Sequence, residues 1–340
     1  MVTVLFLLST AMSQSDSTCR TTESPVIGIL VQDYLGDFKS YRLNRTFIAA
    51  TYVKFIESSG GRVVPIHTDQ SMTYYDRILN QVNGVLLPGG DQDTVNSSYT
   101  RTTSIVYRHA VESNKRGVYY PVWGVCQGLE VLAYLTTGED PLHPCSANDY
   151  ATPLRFTMDL KNLNVKTKLF QKLTFSEYNE VVSNAVAFQW HNLCLLKQTY
   201  YRSPSLREAF QILGTNHDRD GNEYVSMMES NKYPFFGIMF HPEEVMFSFQ
   251  VKENHTSVPH TNHALHAAQY FANFFTDESR KNPNQMSDTI LQKLIIYNHV
   301  PEHTTDSHEP YDLCYFFELF DFSSLFTDDY DPNPDIILPV

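Results

Sequence analysis

From Val26 to Val31 the chain is apolar or glycine at every position, the mark of a strand covered on both faces. The period then changes. Phe47, Ala50, Val53 and Ile56 recur at helical spacing, which predicts a helix over about 46–59 stopped by Gly60-Gly61. Arg62–Ile66 predicts a second strand. Two further apolar runs, Gly84–Leu87 and Pro121–Val125, stop at Pro88-Gly89-Gly90 and at Cys126, and a third, Phe235–Phe240, stops at His241-Pro242-Glu243. Residues 139–234 are less regular, with a hairpin turn predicted around Asp218–Asn222. Ala264, Leu265, Ala268, Phe271, Ala272 and Phe275 predict a long helix packed on the sheet. Strands alternating with amphipathic stretches predict an α/β fold, a doubly wound, mostly parallel sheet with helices on both faces. Ligands of such sheets bind beyond the carboxyl ends of the strands, so the stops at Gly90 and Cys126 point to one site.

Neither an internal repeat nor a glycine-serine linker divides the chain, and we expect one domain over about residues 25–320. The ends read differently. Val2–Leu8 is apolar and is followed by Ala11 and Ser13, which predicts a cleaved secretory signal over residues 1–13, extending to about 18; a buried first strand is the alternative. The run is too short to span a bilayer, and no other stretch is long enough, so no membrane span is expected. The net charge is −13 over 340 residues, the wrong sign for a nucleic-acid partner. No Lys or Arg follows Lys293 while ten Asp and Glu do, which leaves residues 1–293 at −3. Residues 321–340 are an acidic tail, and the body does not repel an anionic substrate by bulk charge.

Asn44, Asn96 and Asn254 begin glycosylation triplets, which requires them to lie on the surface of a chain that enters the secretory route. Five cysteines, at 19, 126, 145, 194 and 314, are an odd number for a disulfide-permitting compartment. Setting Cys126 aside leaves three pairings, of which Cys19–Cys314 would tie down both chain ends.

The chemistry concentrates where the strands stop. Gly124-Val125-Cys126-Gln127-Gly128 has the form in which a nucleophile sits on a tight strand-to-helix turn between two glycines. The helix that follows, about Gln127 to Thr137 with Gly138 as its stop, aims its amino end at Cys126, which favours a thiolate and offers N–H groups to an oxyanion. A cysteine alone more often only fills core. His241 and Glu243 change that balance, because a thiol needs a base and the imidazole needs a carboxylate to fix its tautomer. The histidines at 260, 263 and 266, and those at 299, 303 and 308, read as solvated rather than as metal ligands.

Taken in order, Pro88-Gly89-Gly90, Gly124-Val125-Cys126-Gln127-Gly128 and Phe240-His241-Pro242-Glu243 resemble the class I glutamine amidotransferase-like superfamily. Glu130, Gln189-Trp190-His191-Asn192 and Tyr270–Phe275 are similar to its gamma-glutamyl hydrolase branch. The resemblance implies a flavodoxin-like sheet, Cys126 as nucleophile, His241 as general acid and base, and Glu243 as its orienting partner. It further implies oxyanion N–H groups from Gly90 and Gln127, and His191 lining the substrate pocket. The implied substrate is a folate or antifolate poly-γ-glutamate, with no cofactor and no metal; a homodimer is allowed, and the location is a lysosome, a vacuole or the extracellular space. A glutaminase subunit with the same triad, or a binding protein on a retired hydrolase fold, are the other readings.

Overall fold

The computed structural model describes residues 22–33, 45–157, 167–249, 256–304 and 311–318. The signal segment, Cys19, Asn44, Asn254, His308 and the acidic tail lie outside the described residues. In chain order the first strands are Val26–Leu30 (β1), Gln32–Asp33 (β2), Arg45–Ala49 (β3), Arg62–Ile66 (β4), Gly84–Leu87 (β5) and Val122–Val125 (β6). They are followed by His143–Thr152 (β7), Ala187–Cys194 (β8), Phe210–His217 (β9), Glu223–Ser230 (β10), Phe235–Ile238 (β11), Glu302–His303 (β12) and Leu313–Glu318 (β13).

The main sheet has seven strands in the order β4-β1-β5-β6-β11-β10-β9. Five are parallel, and β10 and β9 extend them as an antiparallel pair. Burial explains the apolar runs, because β1, β5, β6 and β11 are buried at every position. Trp123 on β6 is fully buried, ringed by Phe236 and by Phe271, Phe274 and Phe275 of the helix Asn262–Arg280. That helix is the long one expected from its apolar stripe. The hairpin also forms where expected, with the Asp218 carboxylate accepting from the N–H groups of Asp220 and Asn222 across the β9–β10 turn.

One element differs from its sequence reading. The helix expected over 46–59 is a strand, β3, followed by a shorter helix, Ala50–Glu57. Thr46, Phe47 and Ile48 are β-favouring residues, and they pair with Phe317, Phe316 and Tyr315 of β13, about 270 residues further along the chain. Together β12, β13, β3 and β2 make a second sheet. Arg45 ties its edge to Glu302 and Glu318. Glu302–His303 and Leu313–Glu318 therefore belong to the fold. Among the described residues no helix is long and apolar enough to cross a membrane.

Candidate active site

Three strand ends meet at the carboxyl edge of the main sheet. From β5 comes Pro88-Gly89-Gly90, from β6 comes Cys126, and from β11 comes His241. Cys126 has φ 48° and ψ −107°, the left-handed region that a side chain rarely occupies and that costs about 1–3 kcal/mol. Two backbone bonds hold it there: its N–H donates to Ile238 O at 2.7 Å and its carbonyl accepts from Glu130 N at 3.1 Å. The turn needs Gly128, since a Cβ there would lie 2.3 Å from the Leu87 carbonyl oxygen. The helix Gln127–Thr137 starts immediately after the thiol and stops at Gly138, as expected.

The His241 N–H donates to Phe188 O of β8 at 2.9 Å, and its ring packs edge-on against Phe188 and Trp190. Its Nδ1 lies 2.7 Å from Glu243 Oε1, with both side chains buried. That contact fixes the tautomer and leaves Nε2 for the thiol. Nε2 is buried without a hydrogen-bond partner among the described residues. Cys126 and His241 approach each other across Gly89, where a Cβ would sit 3.0 Å from Cys126 Cβ and 2.8 Å from His241 Cε1.

Burial disfavours the imidazolium, yet Glu243 and Cys126 together outweigh it and hold His241 well above the ordinary histidine range. Burial likewise pushes the Glu243 carboxyl up, against the pull of His241 and with the help of Glu244. Glu244 accepts from Thr51 Oγ1 at 2.9 Å. The thiol departs from the expectation of a lowered pKa. Burial raises Cys126, and the opposing effects of His241 and the Gln127 N–H do not cancel it. A helix amino end works within a turn, but desolvation acts on the whole buried sulfur.

Gln127 follows the thiol directly in the chain, and Gly90 follows Gly89, the glycine that approaches Cys126. The Gln127 side chain is committed elsewhere: its Oε1 accepts from Gln92 N at 3.2 Å and from Gln32 Nε2 at 3.3 Å, and its amide donates to Gln92 O. This leaves its backbone N–H, which faces the Cys126 sulfur. Gln32, the first residue of β2, walls Gly90 so closely that a Cβ there would lie 2.1 Å from its Nε2.

His191 is buried on β8, with Nε2 3.2 Å from Gln189 Oε1 and Nδ1 3.1 Å from Leu193 O. Burial first, and then His241, push it down to about 3, so it is neutral. Its Nδ1 also lies 3.4 Å from Cys194 Sγ and 3.6 Å from Cys145 Sγ. These two cysteines form a disulfide, and Cys314 is buried on β13. That bond is the complement of Cys19–Cys314 among the three pairings, and Cys19 itself lies outside the described residues. Cys314 sits beside Ala49 of β3 in the second sheet, and Cys145 and Cys194 are brought together by the β7–β8 pairing. The donor atoms of Cys145, His191 and Cys194 lie within 4.8 Å of one another, a set that suits a soft metal, but here the two sulfurs are bonded to each other.

Of the remaining expectations, Asn96 is exposed at the turn before the helix Ser98–Lys115. His263 is exposed and lies 3.4 Å from Glu180, and His260 Nδ1 lies 2.9 Å from Val245 O. Sequence reasoning missed the tyrosines that hold the glycine turn. Tyr99 Oη donates to Pro88 O at 2.7 Å, Tyr52 Oη accepts from Gly89 N at 2.8 Å, and Tyr311 Oη donates to Gly89 O at 3.2 Å. It also missed the consequence of burying Glu130, whose carboxyl is raised to about 8 by burial first and by Asp140 second.

The chain matches the Peptidase C26 family over residues 25–243. It is 34% identical to gamma-glutamyl hydrolase B of Dictyostelium discoideum over 83% of this chain and 80% of that protein. It is 33% identical to the gamma-glutamyl hydrolase of Homo sapiens over 88% of this chain and 91% of that protein. Among solved structures, the glutaminase domain of Trypanosoma brucei CTPS superposes with a TM-score of 0.48 at 14% identity, covering 78% of this chain and 98% of that domain.

Proposed function

This chain belongs to the Peptidase C26 family, and on that premise we propose that it hydrolyses the γ-glutamyl bonds of folate or antifolate poly-γ-glutamates through a thioester on Cys126. It is a hydrolase with a cysteine nucleophile. One observation carries the assignment of roles: a buried Cys126–His241–Glu243 arrangement in which the 2.7 Å Nδ1–Oε1 contact leaves Nε2 unpartnered on the thiol side.

His241 Nε2 takes the proton of Cys126, and the sulfur attacks the γ-carbonyl carbon. The carbonyl π electrons move to oxygen, where the backbone N–H groups of Gly90 and Gln127 stabilise the charge. As the carbonyl reforms, the C–N bond breaks and the imidazolium gives its proton to the departing amine. Water, deprotonated by the same imidazole, then attacks the thioester, releases the γ-glutamyl acid and returns the proton to sulfur. Glu243 holds Nδ1–H throughout and stabilises the imidazolium without itself moving a proton. Ionising the buried thiol is costly, and the Cys126–His241 pair meets that cost as a unit, thiolate and imidazolium forming together.

Residues 1–293 carry little net charge, which suits a polyanionic substrate better than the whole-chain value suggests. The disulfide Cys145–Cys194 and the exposed Asn96 support passage through the secretory route to a lysosome, a vacuole or the exterior. The test is product chromatography. Wild-type protein should release glutamate or γ-glutamyl peptides from a pteroyl-poly-γ-glutamate, and Cys126→Ala should release none. Brisk ammonia release from free glutamine with the folate conjugate untouched would assign a glutaminase instead.

A further inference from the structure

The Gly90 N–H that is to meet the oxyanion donates to no described residue, so something else must set its direction. Its peptide bond is shared with the Gly89 carbonyl. No peptide in the described chain is cis, and in a trans peptide the C=O and N–H point in opposite directions from one plane. A group that fixes the Gly89 carbonyl therefore also fixes the Gly90 N–H. That group is the Tyr311 hydroxyl, 3.2 Å from Gly89 O. The preceding peptide is fixed separately, because the Gly89 N–H is taken by Tyr52 Oη at 2.8 Å.

We propose that Tyr311 is a positioning residue for the oxyanion site: it holds the Gly89–Gly90 peptide plane so that the Gly90 N–H faces the reacting carbonyl. The proposal deepens the reading of Gly90 given above and rests on it. Tyr311 is itself well fixed. Its ring is buried, 5.8 Å from Phe47 on β3 and edge-on to Trp190 at 5.9 Å, and its carbonyl accepts from Thr304 Oγ1. Burial raises its pKa well above the tyrosine range, so the hydroxyl remains a donor at any working pH. The residue leads directly into β13, so the pairing of β13 with β3 delivers a polar group to a site otherwise built from the main sheet. The second sheet thereby becomes part of the machinery for acyl transfer.

Tyr311→Phe keeps the ring and its packing and deletes only the hydroxyl. Because the lost contact acts through a peptide rather than on the oxyanion, we expect kcat to fall about tenfold, below the 10²–10³ typical of removing a donor outright. KM should hold within about twofold, and the melting temperature should be near that of wild type. Alkylation of Cys126 by iodoacetamide separates the causes, since it needs the thiolate but develops no oxyanion. Its rate should be unchanged in Tyr311→Phe. Equal losses in alkylation and hydrolysis would show that Tyr311 acts on the Cys-His pair, and an unchanged kcat would show that it is core alone; either overturns the proposal. The measurement uses whichever acyl donor the wild type turns over. A wild type that prefers glutamine would refute the folate reading while leaving the Tyr311 comparison intact.

Discussion

Gly89 is the position where the account can be strained most directly. Its φ lies outside the left-handed region, so alanine can adopt the backbone and any effect of Gly89→Ala must be steric. The new methyl would meet His241 Cε1 at 2.8 Å, Tyr52 Oη at 2.9 Å and Cys126 Cβ at 3.0 Å. Each falls short of ordinary contact by roughly half an ångström, and two of the three belong to the reacting pair. Neither can retreat easily, because the Cys126 N–H is bound to Ile238 O at 2.7 Å and the His241 N–H to Phe188 O at 2.9 Å. Overpacking of this kind costs about 1–3 kcal/mol of stability, so the variant should fold. A displacement of about 1 Å at reacting groups costs on the order of 10²-fold in rate, so half of that should lower kcat by about tenfold or more. Steady-state hydrolysis of a γ-glutamyl substrate, beside a melting curve, reads both quantities. A folded Gly89→Ala protein with wild-type kcat would refute the placement of the glycine turn between Cys126 and His241.

Other outcomes follow from the same geometry. Glu243 holds His241 up, so Glu243→Gln should move the alkaline limb of the rate profile to lower pH; an unmoved limb in a pH–rate series would remove Glu243 as the partner. Cys145→Ala with Cys194→Ala opens a loop closed over a separation of 49 residues, for which chain entropy gives about 4 kcal/mol, and denaturant unfolding should register a loss of about 2–4 kcal/mol. Glu130 is raised to about 8 in the fold from an ordinary value of 4.5, so the native state binds the extra proton and stability falls as pH rises from about 4.5 to 8. Glu130→Gln should flatten that slope in thermal melts taken across the window, and an unaltered slope would place its cause elsewhere.

The elements that carry the reacting groups were legible because their signals are local. β5, β6 and β11 are short, buried on both faces and stopped by turns, and each reads as an apolar run ending in glycine, cysteine or histidine. β3 was not legible, since the residues that make it a strand lie on β13, far along the chain. Helical spacing of Phe47, Ala50, Val53 and Ile56 could not reveal that the first of them faces Tyr311 rather than a helix neighbour. The disulfide was hidden for a related reason. β7 is half-buried along most of its length and its pairing with β8 is interrupted twice, so residues 139–194 show no clean alternation to place Cys145 beside Cys194. Tyr52, Tyr99 and Tyr311 carry no signal in the sequence, because a hydroxyl that holds a peptide is a property of the assembled site.

The central claim is a γ-glutamyl thioester on Cys126, and the measurement that meets it most directly is peptide mapping after rapid acid quench of the protein mixed with a pteroyl-poly-γ-glutamate. The account predicts a γ-glutamyl adduct confined to the peptide that contains Cys126, formed before steady state and absent from Cys126→Ser protein that shows no turnover. Hydrolysis at full rate with no adduct on Cys126, or with the adduct on Cys314, would contradict it.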